Sequence, residues 1–479
     1  MSDRPGVEPP GPWLQPLPTE ETLSNGVRLL RMHLPGQEVI SARLMVPVTL
    51  ADEERVHEGV SVMMARLLDE GAGDLDAEAF AAALERHGAA LGASAVEGGL
   101  SVDLDVPVRH LSGALRLMAD AVGRPTFPEE EVRRVLTDHS TSAHVRRVLE
   151  GETLFCADTW RELAGLGALG IAIPEEQGGA GMGLLELCLV AEEAGRALAA
   201  APLLSSIYLA AEAIRRAGSV AQQAAWLPRL ASGEAIVAAV LDDRAHRVLR
   251  EPRLAMAGGR LSGVIQAVPD GMAAEAILLL VDGRLALVDL RGEGVERGAQ
   301  KSLDPTRPLA RIAFSGAAAE ILESADGAAI AAQVVNGAAV LLAFEQVGGA
   351  ERALHAARDY AMERRAFGRL VGSFQGVKHN LAELFAQIEI ARAHAYYGAW
   401  ALATGAAELP RAAAAARVAA SAAYNVTAEE SLHLHGGIGY TWEMDCHLHL
   451  RRARWCAQIL GSEHLWRQKL ATALIEEAA

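Results

Sequence analysis

The sequence predicts a multidomain protein in which an N-terminal α+β segment precedes a helical domain, a small β domain and a C-terminal four-helix bundle. Apolar residues alternate on both sides of a glycine turn at 97–99, which is typical of a β-hairpin. Helical periodicity dominates 138–235, and short β-type runs give way after residue 326 to helices that continue to the end. Hydrophobic residues make up 51% and charged residues 22% of the 479 residues, which excludes a wholly disordered chain.

The first part of the chain contains a lead-in and one mixed segment. Residues 1–20 hold six prolines and two glycines and are predicted to be flexible. Residues 21–135 form the α+β segment. Its predicted elements are strands at 27–32, 40–48, 91–96 and 100–106 and helices at 58–70, 76–87 and 111–122.

Three further domains are predicted after this segment. Residues 136–235 form a helical domain, 236–325 a β domain and 326–479 a helical bundle. The predicted helices of the first are 160–169, 184–201 and 220–231. The predicted strands of the second are 236–241, 261–267, 277–281, 284–290 and 310–314. In the bundle, one apolar face repeats at Val377, Leu381, Leu384, Ile388, Ala391 and Ala395.

Charge and composition exclude several classes of function. The 44 basic and 61 acidic residues give a net charge of −17, which argues against nucleic-acid binding. The four scattered cysteines include no C-x-x-C pair, so we expect reduced thiols and no disulfide framework. No apolar leader is visible, and the best apolar run, 330–344, is short and contains Gln333 and Asn336. We therefore expect a cytoplasmic protein with no membrane span.

Residues 21–135 resemble the insulinase-type zinc peptidases, the pitrilysin family. The resemblance is carried by the order of several short motifs: LSNGVRL at 23–29, DAEAF at 76–80, LGASA at 91–95 and RPTFP at 124–128. Active members carry H-x-x-E-H on the helix that starts here at Gly59, where two histidines bind zinc and the glutamate activates water.

The zinc motif is missing from this segment, which is also too short for a complete peptidase lobe. Val62, Ala65 and Arg66 stand at the ligand and base positions, and none of them can bind a cation. The histidines of the region match no metal-binding spacing. We therefore expect no metal and no zinc proteolysis.

Residues 138–479 resemble the acyl-CoA dehydrogenases, whose architecture is the same order of helical domain, β domain and helical bundle. Four motifs occur in the family's order: LAGLGALGIAIPEEQGG at 163–179, SLDPTRPLA at 302–310, ERRAFG at 363–368 and LHGGIGYTWE at 434–443. The resemblance implies FAD as cofactor and an acyl-CoA thioester as substrate. It also implies an oligomer that passes electrons to a separate acceptor protein.

Six residues are predicted to bind the cofactor. Arg364 offers a planar set of donors to a pyrophosphate, and Phe367 offers a ring for packing. Gln375 and His433 stand where the family contacts polar atoms of FAD, although the family usually has Gln at position 433. Gly436 and Gly437 leave room for backbone N–H groups to approach an anion. In the family, such residues act on a cofactor shared with the neighbouring subunit.

The catalytic base is not identified. The family places a glutamate at one of two positions, which correspond here to Ala338 and Leu460. Glu345 and Glu463 are nearby in sequence, but their helical offset points their side chains elsewhere. A flavin enzyme that removes an α-proton needs a positioned carboxylate.

The sequence thus predicts an FAD-dependent oxidoreductase that introduces an α,β double bond into an acyl-CoA, with the base supplied by a second subunit as one route. The last motif resembles enzymes of bacterial catabolism of bulky acyl chains, some of which pair with a different subunit. Two alternatives stay open: a non-catalytic partner subunit, and a fusion of two gene fragments. The sequence at 132–136 recurs at 145–149, which is compatible with such a fusion.

Overall fold

The chain folds into two compact units, Met1–Phe127 and Pro128–Ala479. A computed structural model describes residues 17–23, 26–47, 68, 71–73, 75, 77–96, 99–124, 129–241, 253–324 and 326–478. The predicted helix at 58–70, apart from Leu68, lies outside the described residues.

The first unit is the predicted α+β fold. Its elements are β1 (Thr19–Thr22), β2 (Arg28–Arg31), β3 (Val39–Val46), α1 (Ala77–His87), β4 (Ala90–Val96), β5 (Gly99–Pro107) and α2 (Leu111–Gly123). Strands β1 and β2 pair with each other, while β5 lies between β3 and β4 in an antiparallel sheet. Alternate residues of β5, Leu100 to Val106, pack on Ala114 and Met118 of α2, because side chains of a strand alternate between its faces.

The second unit begins with a helical domain. Its elements are α3 (Glu129–His139), α4 (Ser142–Leu149), α5 (Ala157–Gly165), α6 (Leu184–Arg196), a π-helix (Leu203–Ala211), α7 (Glu212–Ala217) and α8 (Val220–Ala231). The prediction that the second helix reaches residue 201 is wrong. Helix α6 ends at Arg196, and the backbone turns at Leu198, whose φ is +51°. The sequence did not predict the π-helix.

The β domain consists of two four-stranded sheets. Its strands are β6 (Val237–Val240), β7 (Ala255–Ala257), β8 (Arg260–Pro269), β9 (Ala276–Val281), β10 (Arg284–Asp289), β11 (Val295–Gln300), β12 (Leu309–Ala318) and β13 (Glu320–Ile321). The sheet orders are β13-β10-β9-β6 and β11-β12-β8-β7, and the pair β6–β9 is parallel. Strand β11 was not predicted; its exposed and polar residues lack an apolar run.

The C-terminal bundle contains three long helices and two shorter ones. They are α9 (Gly327–Glu363), α10 (Gln375–Thr404), α11 (Leu409–Leu434), α12 (Cys446–Cys456) and α13 (Glu463–Ala478). A hairpin of β14 (Arg365–Ala366) and β15 (Arg369–Leu370) connects α9 to α10. The backbones of α9 and α6 are in contact where the two helices cross. A β-carbon on Gly195 would lie 1.8 Å from the Glu345 carbonyl oxygen. This crossing therefore requires glycine.

Helix α9 is long and apolar enough to cross a membrane, but 67% of its most apolar window is buried inside the protein. Val334, Leu341 and Phe344 belong to the core that the bundle shares with the helical domain. The apolar character of α9 is thus accounted for by its packing.

The division between the two units lies a few residues before the boundary expected at 135/136. Val132 and Leu136 of α3 are buried with Trp160 and Leu163 of α5 in the core of the second unit. The apolar face of α3 assigns it to the second unit, because a helix belongs to the core that buries this face.

Candidate active site

The six predicted cofactor residues lie at one end of the C-terminal bundle. Two of them follow α9, Gln375 begins α10, and the remaining three lie at the end of α11 and just after it. The ring centroids of Tyr360 and His435 are 4.4 Å apart, which joins the ends of α9 and α11. Asn380 Nδ2 donates to Glu430 Oε2 at 2.7 Å and thereby joins the start of α10 to the end of α11.

Arg364 and Phe367 lie on an exposed hairpin. The Arg364 side chain makes no hydrogen bond or ion pair with the described part of the chain. Phe367 is 95% exposed and has φ +53°, a backbone conformation uncommon for a non-glycine residue. The hairpin thus exposes an aromatic ring to solvent on a strained backbone, three residues after an arginine whose guanidinium group is unpaired among the described residues. A ring in this position is accessible to a ligand or to another subunit.

The polar and glycine positions are open as well. His433 Nδ1 is 3.7 Å from Glu430 Oε1, and Gln375 Nε2 is 3.5 Å from His379 Nε2. A β-carbon at Gly436 or Gly437 would meet nothing within 4 Å, so the space beside this backbone is free. A free guanidinium, an exposed ring and an open glycine backbone are the features that fit a dinucleotide cofactor.

Neither family position for the catalytic base has a carboxylate or an open pocket. Ala338 is 1% exposed and belongs to the core of α9. Leu460 is half-buried, with φ +61°, and packs on the same core. The isolated chain therefore has no proton acceptor at either position.

Glu345 is part of a buried ion-pair cluster. Its Oε1 accepts hydrogen bonds from Arg307 and, at 3.3 Å, from Arg452. Oε2 has no hydrogen-bond partner among the described residues. The side chain is 1% exposed, so a substrate has no access to it without a large rearrangement. Glu345 acts as a counterion to two arginines inside the protein.

Glu463 is the other nearby carboxylate. Its Oε1 accepts a hydrogen bond from Arg467 at 2.5 Å, one turn along α13. Both side chains are partly exposed to solvent, and pairs with this spacing are typical of helix surfaces. Glu463 is thus a partly exposed residue, and because α13 begins at Glu463, it shares no helix with Leu460 and the helical offset expected between the two does not apply.

The sequence did not assign a role to the buried arginines. Arg452 Nε donates to Asp304 Oδ2 at 2.7 Å, and its Nη2 donates to Thr306 Oγ1 at 3.0 Å. Arg307 Nη1 donates to the Ala201 carbonyl oxygen at 2.6 Å. Burial alone would lower the pKa of Arg452, but the carboxylates of Asp304 and Glu345 outweigh it and raise that pKa.

This cluster connects the segment before the π-helix of the helical domain, the β-domain loop at 302–308 and the bundle. An available signal was the presence of Asp and Arg within SLDPTRPLA, since charged residues in an apolar context need partners. However, Arg452, the partner of Asp304, is more than a hundred residues away, so this pairing could not be predicted from the sequence.

Comparisons with known proteins define the family. The model for the acyl-CoA dehydrogenase N-terminal domain matches residues 128–234, and the model for the C-terminal domain matches 325–475. Acyl-CoA dehydrogenase IpdE2 of Mycobacterium tuberculosis is 36% identical over 334 residues, which are 70% of this chain and 92% of that protein. The chain belongs to the acyl-CoA dehydrogenase family. The predictions of its fold and of a flavin-dependent oxidoreductase acting on acyl-CoA are confirmed.

Solved structures agree with this assignment. A variant of the Tcur3481-Tcur3483 steroid acyl-CoA dehydrogenase has a TM-score of 0.67 and 31% identity, covering 73% of this chain and 97% of that one. The ChsE4-ChsE5 complex from Mycobacterium tuberculosis has a TM-score of 0.66 and 28% identity, covering 73% and 96%. Both names refer to two different subunits.

The N-terminal resemblance is confirmed too. The model for Insulinase (Peptidase family M16) matches residues 28–162 and so overlaps the dehydrogenase match. Val62, Ala65 and Arg66, which replace the zinc motif, lie outside the described residues. Within the described ranges, no group of three or more His, Cys, Asp or Glu side chains could hold a metal ion.

Proposed function

We propose that this chain is the flavin-binding subunit of a heteromeric acyl-CoA dehydrogenase, in which a second subunit supplies the catalytic base. The main observation behind the proposal is that no carboxylate in the described part of this chain is placed to act as the base. Ala338 and Leu460 have none, Glu345 is held by two buried arginines, and Glu463 is paired on the surface. Removal of the α-proton of a thioester requires a positioned base.

The cofactor site belongs to the exposed end of the bundle. Arg364 would pair with the pyrophosphate of FAD, Phe367 would cover an apolar part of it, and the backbone at Gly436 would approach an oxygen. Gln375, His433 and Gly437 would complete the polar contacts. FAD supplies hydride acceptance from the β-carbon when bound. A separate electron-transfer protein would then receive the electrons.

The exposed position of these residues supports a cofactor shared across a subunit boundary. Phe367 is almost fully solvent-accessible in the single chain, and a ring in this position becomes buried only when another surface covers it. The similar solved structures named for two different subunits support a heteromer over a homomer.

The test compares the isolated chain with the chain co-expressed with a carboxylate-bearing dehydrogenase subunit. We expect the isolated chain to carry FAD, alone or after addition, and to reduce it very slowly with short- and long-chain acyl-CoA under anaerobic conditions. The heteromer should bleach the flavin rapidly, because the partner subunit supplies the general base, which contributes about 10²–10⁴-fold to the rate. Flavin absorbance at its visible maximum is the readout.

Two outcomes would contradict this proposal. Rapid flavin reduction by the isolated chain would show that its own carboxylates include the base. A preparation that binds no FAD, either alone or with a partner subunit, would favour the alternative of a non-catalytic structural subunit.

A further inference from the structure

A cavity of about 640 Å³ lies in the second unit, and none of the six cofactor residues lines it. Its walls come from α3, α4, the end of α6, the C-terminal part of α9, the end of α11 and the start of α12. Its volume is in the range of small-molecule pockets. Neither Ala338 nor Leu460 lines it, so it is distinct from both positions of the family's base.

Two of the three described carboxylates that line this cavity are paired with arginines. Glu193 receives two hydrogen bonds from Arg133, at 3.0 and 2.9 Å, and one from Arg196 at 3.0 Å. Asp445 pairs with Arg146 at 2.7 Å. These contacts neutralise Glu193 and Asp445, while the third carboxylate, Glu443, is exposed to solvent.

Arg352 is the lining cation without a partner in the described residues. It makes no hydrogen bond or ion pair there, whereas Arg133 and Arg196 both do. Ala356, one turn further along α9, lines the same cavity, which places both residues on one face of the helix. Arg352 is exposed to solvent at this cavity. An unpaired guanidinium there can pair with an anion, and its planar donors match a carboxylate.

Part of the lining is apolar. Val145, Leu198 and Leu448 are buried against one another in a small cluster separate from the main core. His449, which also lines the cavity, is neutral at physiological pH, because burial and the nearby charges of Arg352 and Arg452 lower its pKa to about 3.

We propose that this cavity binds a small apolar carboxylate, with its carboxylate group on Arg352 and its apolar body on the wall of Val145, Leu198 and Leu448. Two independent features point to this chemistry: one free cation, and one apolar wall in the same cavity. Polar groups fix the orientation of a ligand in such pockets, while apolar contacts supply most of the buried area.

Calorimetric titration of the full chain with sodium decanoate tests this proposal. Saturable binding is expected, and Arg352→Gln should weaken it by about tenfold or more, since it removes a charge-assisted pair. Ala356→Phe should also weaken it by filling the cavity. The matched control is Arg358→Gln, because Arg358 is on the same helix but lies outside the cavity and pairs with Asp359; this variant should bind decanoate like the unmodified chain.

A comparison with decanol tests whether the ligand binds as an anion. Decanol, which has the same chain length without the charge, should bind at least about tenfold more weakly. The absence of saturable binding at millimolar decanoate, equal affinity of Arg352→Gln, or displacement of decanoate by FAD would each overturn the proposal. None of these measurements needs turnover, so the result is independent of the dehydrogenase proposal.

Discussion

Glu345 and Arg307 form an ion pair in the interior of the second unit, with side chains 1% and 2% exposed. Arg452 contacts the same Glu345 oxygen from α12 at 3.3 Å. One carboxylate from α9 therefore holds two arginines from elements far apart in sequence. This arrangement stabilises the junction of the three domains and makes Glu345 unavailable as a base.

Replacement of Glu345 should destabilise the second unit strongly. Glu345→Gln leaves Arg307 buried without its counterion, while Arg452 keeps Asp304, and breaking a buried pair costs about 3–5 kcal/mol. Urea unfolding followed by helical circular dichroism measures this loss. Glu463→Gln is the matched control, because its pair with Arg467 is on the surface and is worth less than about 1 kcal/mol. Equal stability of the two variants would contradict the structural role of Glu345.

Arg364→Ala should weaken FAD binding by about 10–100-fold, because it removes a charge-assisted contact to phosphate. Quenching of flavin fluorescence during titration of the chain measures the affinity. Arg365→Ala is the control, because this neighbouring arginine lies outside the six predicted positions. If both variants lose affinity equally, the effect is general electrostatic attraction and not a specific pair.

Leu460→Glu should give the isolated chain measurable activity. A carboxylate at this family position supplies the missing base, and a positioned base contributes about 10²–10⁴-fold. The site is half-buried, which raises the pKa of a carboxyl group placed there, so activity should rise as the pH increases through that value. Leu460→Gln controls for shape without charge. If the two variants reduce flavin at the same slow rate, the pocket lacks more than its base.

Stability should decrease in acid through His449. Burial lowers its pKa from 6.5 to about 3, and the charges of Arg352 and Arg452 act in the same direction, while Asp445 opposes them. Between these two values the unfolded chain binds a proton that the folded chain does not, so stability falls by about 1.4 kcal/mol for each pH unit lost.

Above pH 6.5 the contribution of this histidine is fully present. His449→Gln, which can keep a hydrogen bond to the Tyr424 hydroxyl, removes the titration. Its unfolding free energy should decrease less steeply between pH 6.5 and 4 than that of the unmodified chain. Parallel curves for the two proteins would show that other groups cause the acid sensitivity.

Limited proteolysis should separate the two units just before α3. Because Val132 and Leu136 are buried in the second unit, a stable C-terminal fragment is expected to begin near residue 128. Mass spectrometry of the fragment gives its first residue, and circular dichroism gives its helicity. A stable fragment that begins after His139 would show that α3 is dispensable for this core.

The order of the elements was readable from the sequence because it depends on local chemistry. The hairpin of β4 and β5, the helix α8 and the strand pair β9–β10 were predicted within a few residues, since periodicity and turn residues act over short spans. The six cofactor positions occur in two short stretches of the chain, and their role stays a prediction. It is their order within the family's motifs, together with their chemical types, that predicts contact with a charged dinucleotide.

Contacts between distant segments required the folded structure. Nothing in the sequence near Glu345 identifies Arg307 or Arg452 as its partners, because they come from other domains and meet only when all three pack together. The same reason applies to the cavity beside Arg352, whose lining comes from six separate helices and the loops between them. Local residue patterns specify helices and strands, whereas the pairing of buried charges is fixed by the geometry in which those elements pack.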